Sequence, residues 1–242
     1  MKKTPRIGVV GAALLGLWAF GPATASNYSV GGPNQNFFYI SNWGKNSHTI
    51  TRMPSLEGMT SLSVGDPGAK PAHIVPDPEG RYVFTINHGG NYVSAFDAKT
   101  GQLIKKIVTG SDKSSHGQGH QYYWSKDGSK LWVTELDDGT LVEIDAHNLT
   151  VARTVWVAEF PYGMFVAEDE GYIYVMGEGP GPLDVEHTGN KVGMVRIADF
   201  TLVKEIPVGQ APHEAEYYGG KVYVSNIGRG ARSVTEIGRA HV

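Results

Sequence analysis

Runs of five or six residues in which apolar and polar positions alternate recur along this chain, each bounded by Gly, Pro, Asn or Asp. A period of two with such boundaries predicts short β-strands and turns. One run returns five times: FFYISN (Phe37–Asn42), YVFTIN (Tyr82–Asn87), LWVTE (Leu131–Glu135), IYVMGE (Ile173–Glu178) and VYVSN (Val222–Asn226). The last residues of successive copies stand 45, 48, 43 and 48 positions apart. A period in the forties, made of β-rich runs, predicts the blades of a β-propeller. No stretch reads as a long amphipathic helix.

Each copy belongs to a longer template, and Pro71–Gly110 shows it most fully. Its predicted strands are an inner one near His73–Val75, then Tyr82–Ile86, Tyr92–Phe96 and Leu103–Val108. The turns PDPEG (Pro76–Gly80), NHGGN (Asn87–Asn91) and DAKTG (Asp97–Gly101) separate them. Further templates span Gly119–Val157 and Pro161–Gly209, and another begins at Pro212. The first blade is read from Phe37 to Val64 as three strands, FFYISN, HTITRM (His48–Met53) and SLSV (Ser61–Val64), without an inner one. Val, Ile, Tyr, Phe and Trp fill these runs, as a packed pleated surface favours.

The template resembles the YVTN family of β-propeller repeats. The strand phrase carries the likeness, with the Val-x-x-[Ile/Phe]-Asp stretch (Val93–Asp97, shortened at Val142–Asp145) and the Pro-x-[Gly/His] entry. It covers roughly Asn36 to Thr235. The resemblance implies an all-β propeller of four-stranded antiparallel blades in a seven-bladed ring. About four to five blades would then be present, as an open, truncated ring. Function is not implied, because propellers carry unrelated activities.

The ends read differently from the repeats. Met1–Ala25 has a basic start (Lys2, Lys3, Arg6), an apolar run Ile7–Phe20 and an Ala23-Thr24-Ala25 close. This predicts a secretory signal peptide, because the apolar run is shorter than the ~20 residues of a membrane span. The expected product is periplasmic or secreted, with no membrane span after cleavage. At the other end, Ile237–Val242 matches the translation of a sequencing-adapter read-through and is expected to be a non-biological tail. The propeller domain is therefore placed at 26–236.

Composition narrows the chemistry. The absence of Cys excludes disulfides, a thiolate nucleophile, a Cys zinc site and covalent c-type haem in this segment. A net charge of −3 gives no reason to expect nucleic acid as a partner. No Gly-x-Ser-x-Gly or phosphate-binding glycine loop is present.

Histidine is the remaining chemical signal. His73, His120 and His213 open inner strands in PAHIV, QGHQY and APHEA, and are read as one equivalent position at the channel mouth. His116 lies in the entering loop, while His48, His88 and His187 fall in turns between second and third strands. All of these map to one face of the disc, and His147 maps to the other. Carboxylates at Glu214, Glu178, Glu186, Asp137, Asp138 and Asp184 map to the same face. Blade four places Gly163 where a histidine would stand, so the set is broken there.

Imidazole suits copper, iron and zinc. The candidate metal ligands are His73, His120 and His213, with His116 beside them as a further ligand candidate. His88, His187, Glu186, Glu214 and Glu178 are secondary candidates. The other reading gives each histidine a hydrogen-bonding role toward backbone carbonyls at a tight chain entry. Two function classes follow. One is an exported binding or scaffold module whose histidine face takes a small ligand, a metal, haem or a protein partner. The other is a periplasmic redox enzyme resembling the nitrous oxide reductase or haem-d nitrite reductase propellers, with copper or haem on that face.

Overall fold

The computed structural model describes residues 27–32, 35–42, 49–55, 58–111, 119–180, 187–229 and 232–238. They form five consecutive antiparallel sheets in which each strand pairs with its neighbour in sequence. The first sheet holds β1 (Asn27–Gly32), β2 (Gln35–Ser41), β3 (Thr49–Ser55) and β4 (Gly58–Ser63). The second holds β5 (Pro71–Pro76), β6 (Tyr82–Asn87), β7 (Tyr92–Asp97) and β8 (Leu103–Val108). The third holds β9 (Gly119–Trp124), β10 (Lys130–Glu135), β11 (Thr140–Asp145) and β12 (Thr150–Trp156). The fourth holds β13 (Pro161–Ala167), β14 (Tyr172–Gly177), β15 (Lys191–Arg196) and β16 (Thr201–Pro207). In the fifth, β17 (Pro212–Tyr218), β18 (Lys221–Asn226) and β19 (Ser233–Ile237) pair in that order. Among the described residues no helix is long and apolar enough to cross a membrane.

One expectation about the outer sheets changes. The first sheet has the inner strand that the sequence reading denied it: β1 pairs with β2 from Asn27↔Ile40 to Gly32↔Gln35. Its sequence, NYSVGG, carries no apolar alternation and no proline entry. Ladder pairing uses backbone groups, so such a strand is invisible to side-chain patterning. At the other end Ile237 closes β19, paired with Val222 and buried. Residues 1–25 and 239–242, read as leader and tail, lie outside the described residues.

The apolar alternation within a middle strand serves two interfaces rather than one core and one solvent face. In β6, Val83 joins the cluster toward the first sheet and Phe84 the cluster toward the third. In β10, Leu131 and Val133 face the second sheet while Trp132 faces the fourth. In β14, Ile173 and Val175 face back, and Tyr174 and Met176 face forward to the fifth sheet. Both faces of each inner pair are therefore dry, and the exposed residues collect on the outermost strands β8, β12 and β16. Trp132, fully buried, donates Nε1–H to Glu143 (3.0 Å), which also pairs with Arg153 (2.7 Å). Trp156, by contrast, is half exposed at the rim.

The motif aspartate has a local cause. Asp97 Oδ1 accepts from Thr100 N (2.6 Å), and Asp145 Oδ1 accepts from Asn148 N (2.9 Å). Each caps the turn into the outermost strand.

Candidate functional site

A repeated backbone cross-tie builds the face that carries the histidines. Lys70 O accepts from His88 N (3.0 Å), Phe160 O from Glu178 N (3.1 Å) and Ala211 O from Ile227 N (2.9 Å). The loop entering each inner strand is thereby fastened to the turn between the second and third strands. Lys70, Phe160 and Ala211 all sit in the left-handed region, with φ of 47°, 53° and 52°, and each precedes a proline. Residues before proline rarely adopt this conformation. The chain therefore enters the channel wall by the same strained corner in three sheets.

The ladders revise the alignment of the histidines. Pro71 pairs with Asn87, Gly119 with Glu135, Pro161 with Gly177 and Pro212 with Asn226. Counting from these partners, the first channel-facing position is Ala72, His120, Tyr162 and His213. His73 lies one residue further on, level with Gln121, Gly163 and Glu214. His120 and His213 are in register as expected, and His73 is not. The ladder shifts between Pro71 and His73, and again in the other three sheets, which hides the offset from simple counting. The same ladders set Gly177, not Glu178, level with Asn87 and Asn226. Glu178 thus shares the next position with His88, Leu136 and Ile227, as the cross-ties also show.

Gly163 is therefore no missing histidine. A Cβ there would stand 2.0 Å from the carbonyl oxygen of His213, so glycine lets the fifth inner strand lie against the fourth.

These positions assemble a row of rings across four sheets. Tyr162 lies between His120 (ring centroids 3.7 Å) and His213 (4.4 Å, near parallel at 27°). His73 and His88 approach His120 edge-on at 5.7 and 5.8 Å. His73 also borders an open groove of about 460 Å³ with Gln121, Tyr122, Tyr123 and Trp124. At the other end, Glu178, 1% exposed, accepts from His213 Nδ1 (2.8 Å) and lies 3.6 Å from His187 Nδ1. His187 Nδ1 is 3.2 Å from Gly179 O.

Electrostatics divide the row. Burial, reinforced by His88, lowers His73 to about 4. Burial and the surrounding imidazoles hold His120 well below its ordinary value. Burial and then Lys70 lower His88. All three stay uncharged near neutrality, the state in which an imidazole nitrogen ligates metal. His213 moves the other way: its bond to Glu178 raises it against the opposing effect of burial. Burial lifts Tyr162 to about 12, with Glu178 and Glu214 adding to it. Burial also raises Glu214, partly offset by His213.

His73, His88, His120, His187, His213, Glu178 and Glu214 are thus gathered on one face. The trio predicted to share an ion does not converge, because the ring of Tyr162 separates His120 from His213. Among the described residues no three His, Asp or Glu side chains form a group suited to a metal ion. His116, His48, Glu186 and Asp184 lie outside the described residues. His147 sits on the opposite face, 2.5 Å from an Arg81 Nη. Asp138 is occupied by Ser111, whose N and Oγ both donate to it at 2.6 Å.

Sequence reading missed Tyr162 and Glu135. Tyr162 is found by counting from the proline that opens β13. Glu135 is fully buried, and neither carboxylate oxygen has a hydrogen-bond partner among the described residues. Burial pushes it up to about 8, partly offset by Thr109, whose hydroxyl donates to Asn91 O at 3.5 Å. The signal was available: Glu135 replaces the Asn that ends the phrase in β6 and β18.

No family model matches the chain, and no curated protein matches it. Solved structures do. Hydrazine synthase from Kuenenia stuttgartiensis is similar with a TM-score of 0.59 and 21% identity, over 71% of this chain and 47% of that one. Dihydro-heme d1 dehydrogenase NirN, in complex with DHE, is similar with a TM-score of 0.57 and 11% identity, over 88% of this chain and 47% of that one. A protein from Lactobacillus plantarum gives 0.57 and 16%, over 78% of this chain and 57% of that one. The chain thus spans about half the length of each. At these identities the likeness concerns architecture alone: the sheets of this chain are the blades of a β-propeller.

Proposed function

We propose that this chain is an exported propeller of the YVTN type, from a seven-bladed ring, that binds a planar metal-bearing ligand of the haem class on its histidine face. The row of rings from His73 and His88 through His120 and Tyr162 to His213 carries this reading. It combines uncharged imidazoles with flat aromatic surface at the channel mouth. A bare copper or zinc ion needs several converging donors, which the described residues do not supply. A metal already held in a macrocycle needs one or two protein nitrogens. The similarity to NirN, solved in complex with DHE, supports the same ligand class by analogy of fold. Localisation in the periplasm or outside the cell rests on the basic-apolar start and Ala-x-Ala close of residues 1–25.

Haemin titrated into the metal-free full chain tests this. The expected result is a sharpened, red-shifted Soret band that saturates at one equivalent. A spectrum that stays that of free haemin at every ratio overturns the proposal. Copper and zinc added to the same sample report whether an ion binds without a macrocycle.

A further inference from the structure

The histidines were drawn from the sequence as equals, yet of His73, His120 and His213 the last alone has a hydrogen-bonded ring among the described residues. Three contacts fix His213. Its backbone carbonyl lies against Gly163, at the place where any side chain would collide. Its ring is stacked on Tyr162 at 4.4 Å. Its Nδ1 is bonded at 2.8 Å to Glu178, a carboxylate with 2% side-chain exposure. A carboxylate accepts only, so Nδ1 carries a proton, and in the neutral ring the lone pair lies on Nε2. About a third of the His213 side chain (31%) is open, and Nε2 has no hydrogen bond among the described residues.

His73 and His120 lack such support. No hydrogen bond reaches either ring among the described residues, and His120 Nδ1 is buried without a partner. Nothing selects a tautomer for them, and Tyr162 covers His120 at 3.7 Å.

Building on the ligand class proposed above, we infer that His213 is the residue that ligates the metal of the bound ligand, through Nε2. Glu178 is its positioning residue. A histidine whose second nitrogen donates to a carboxylate is fixed in orientation and is a stronger donor, as in carboxylate–histidine–metal arrangements. Glu178 reaches His213 from the preceding blade, so the donor is assembled only where blades four and five pack together. Ligation forms one coordinate bond from the Nε2 lone pair of the neutral ring; a ring that starts protonated gives up its Nε2 proton to solvent.

The test uses the full chain and begins without ligand. Long-range ¹H–¹⁵N spectra of the ligand-free protein should show an imidazole locked with its proton on Nδ1 whose signals are lost in His213→Ala and retained in His187→Ala. With haemin, Glu178→Gln should weaken binding by roughly 10- to 100-fold. His213→Ala should abolish the low-spin Soret shift, and millimolar imidazole should restore it by filling the vacated position. Because His213→Ala leaves Glu178 buried and unpaired, the double variant Glu178→Gln/His213→Ala is run beside it. The double variant should fold, lose the shift and regain it with imidazole. His147→Ala, on the opposite face, should bind haemin as the parent does. If the parent binds haemin and His213→Ala gives the same spectrum, the assignment is overturned while the ligand class stands. If the parent does not bind haemin, the ligand class itself falls and the assignment with it.

Discussion

Two pairs of residues occupy the same place in different blades and behave in opposite ways. His88 follows the second strand of blade two and meets His120 of blade three, with ring centroids 5.8 Å apart. Glu178 holds the matching position in blade four and meets His213 of blade five at 2.8 Å. The backbone frame is common to both, down to the cross-ties from Lys70 O and Phe160 O. Only the side chain at the turn differs. In blade three burial takes His120 far below its ordinary value, with His73 and then His88 adding to it. A carboxylate at the turn outweighs burial, and His213 rises. The repeat fixes where a side chain sits, and the carboxylate at one turn is what sets His213 apart from His120.

The largest test breaks the Glu178–His213 pair. Removing His213 strands a carboxylate that is 2% exposed, with His187 left 3.6 Å away. Loss of one partner from a buried pair costs about 3–5 kcal/mol. His213→Ala should lower stability by that order in urea titrations near pH 7, and Glu178→Gln/His213→Ala should recover most of it. No recovery in the double variant would show that Glu178 is not the stranded group.

Blade three has neither partner at the turn, where Leu136 stands, and its ionisable group lies one residue earlier. Asn87 at the equivalent place donates to Tyr92 O (3.0 Å) and Ser94 Oγ (2.8 Å), tying β6 to β7. Glu135 makes no such tie, and Thr140 opposite it also has an unpartnered buried hydroxyl. The folded value of Glu135, about 8, is above its ordinary 4.5. The folded state therefore binds more protons between these limits, and stability falls as pH rises through them. Between pH 6 and 8 the loss from this group is roughly 2 kcal/mol. Glu135→Gln should flatten the melting temperature over that interval. An unchanged slope would mean that the carboxyl ionises freely.

The strands were legible because each middle strand must be apolar on both faces, which the phrase ending at Asn87 or Asn226 displays openly. β1 was not legible, because a strand that pairs through its backbone leaves no mark in NYSVGG. The gathering of histidines on one face was also readable, since turn residues place the chain ends of every blade alike. Their exact neighbours were not. The shift between Pro71 and His73 moves one histidine out of line, and Gly177 advances Glu178 into the turn. Tyr162 was passed over because an aromatic residue on a strand reads as packing. Here it is the wall that stops three imidazoles from sharing one ion.

The uncharged end of the row gives the smallest effect and the cleanest contrast with His213. His73 titrates at about 4 when folded, against 6.5 unfolded. The unfolded chain binds more protons between these values, so this group's stability contribution is complete above 6.5 and is lost as pH falls. From pH 6 to 5 the loss is roughly 1 kcal/mol. His73→Asn removes the charge that must be suppressed, so its stability should fall less over that step, read by urea midpoints at the two pH values. His213 contributes with the opposite sign, because a raised value gives stability that is present below 6.5 and lost on the alkaline side. A variant that removed both slopes together would show that the two ends of the row titrate as one unit, and the division between neutral and charged imidazoles would not hold.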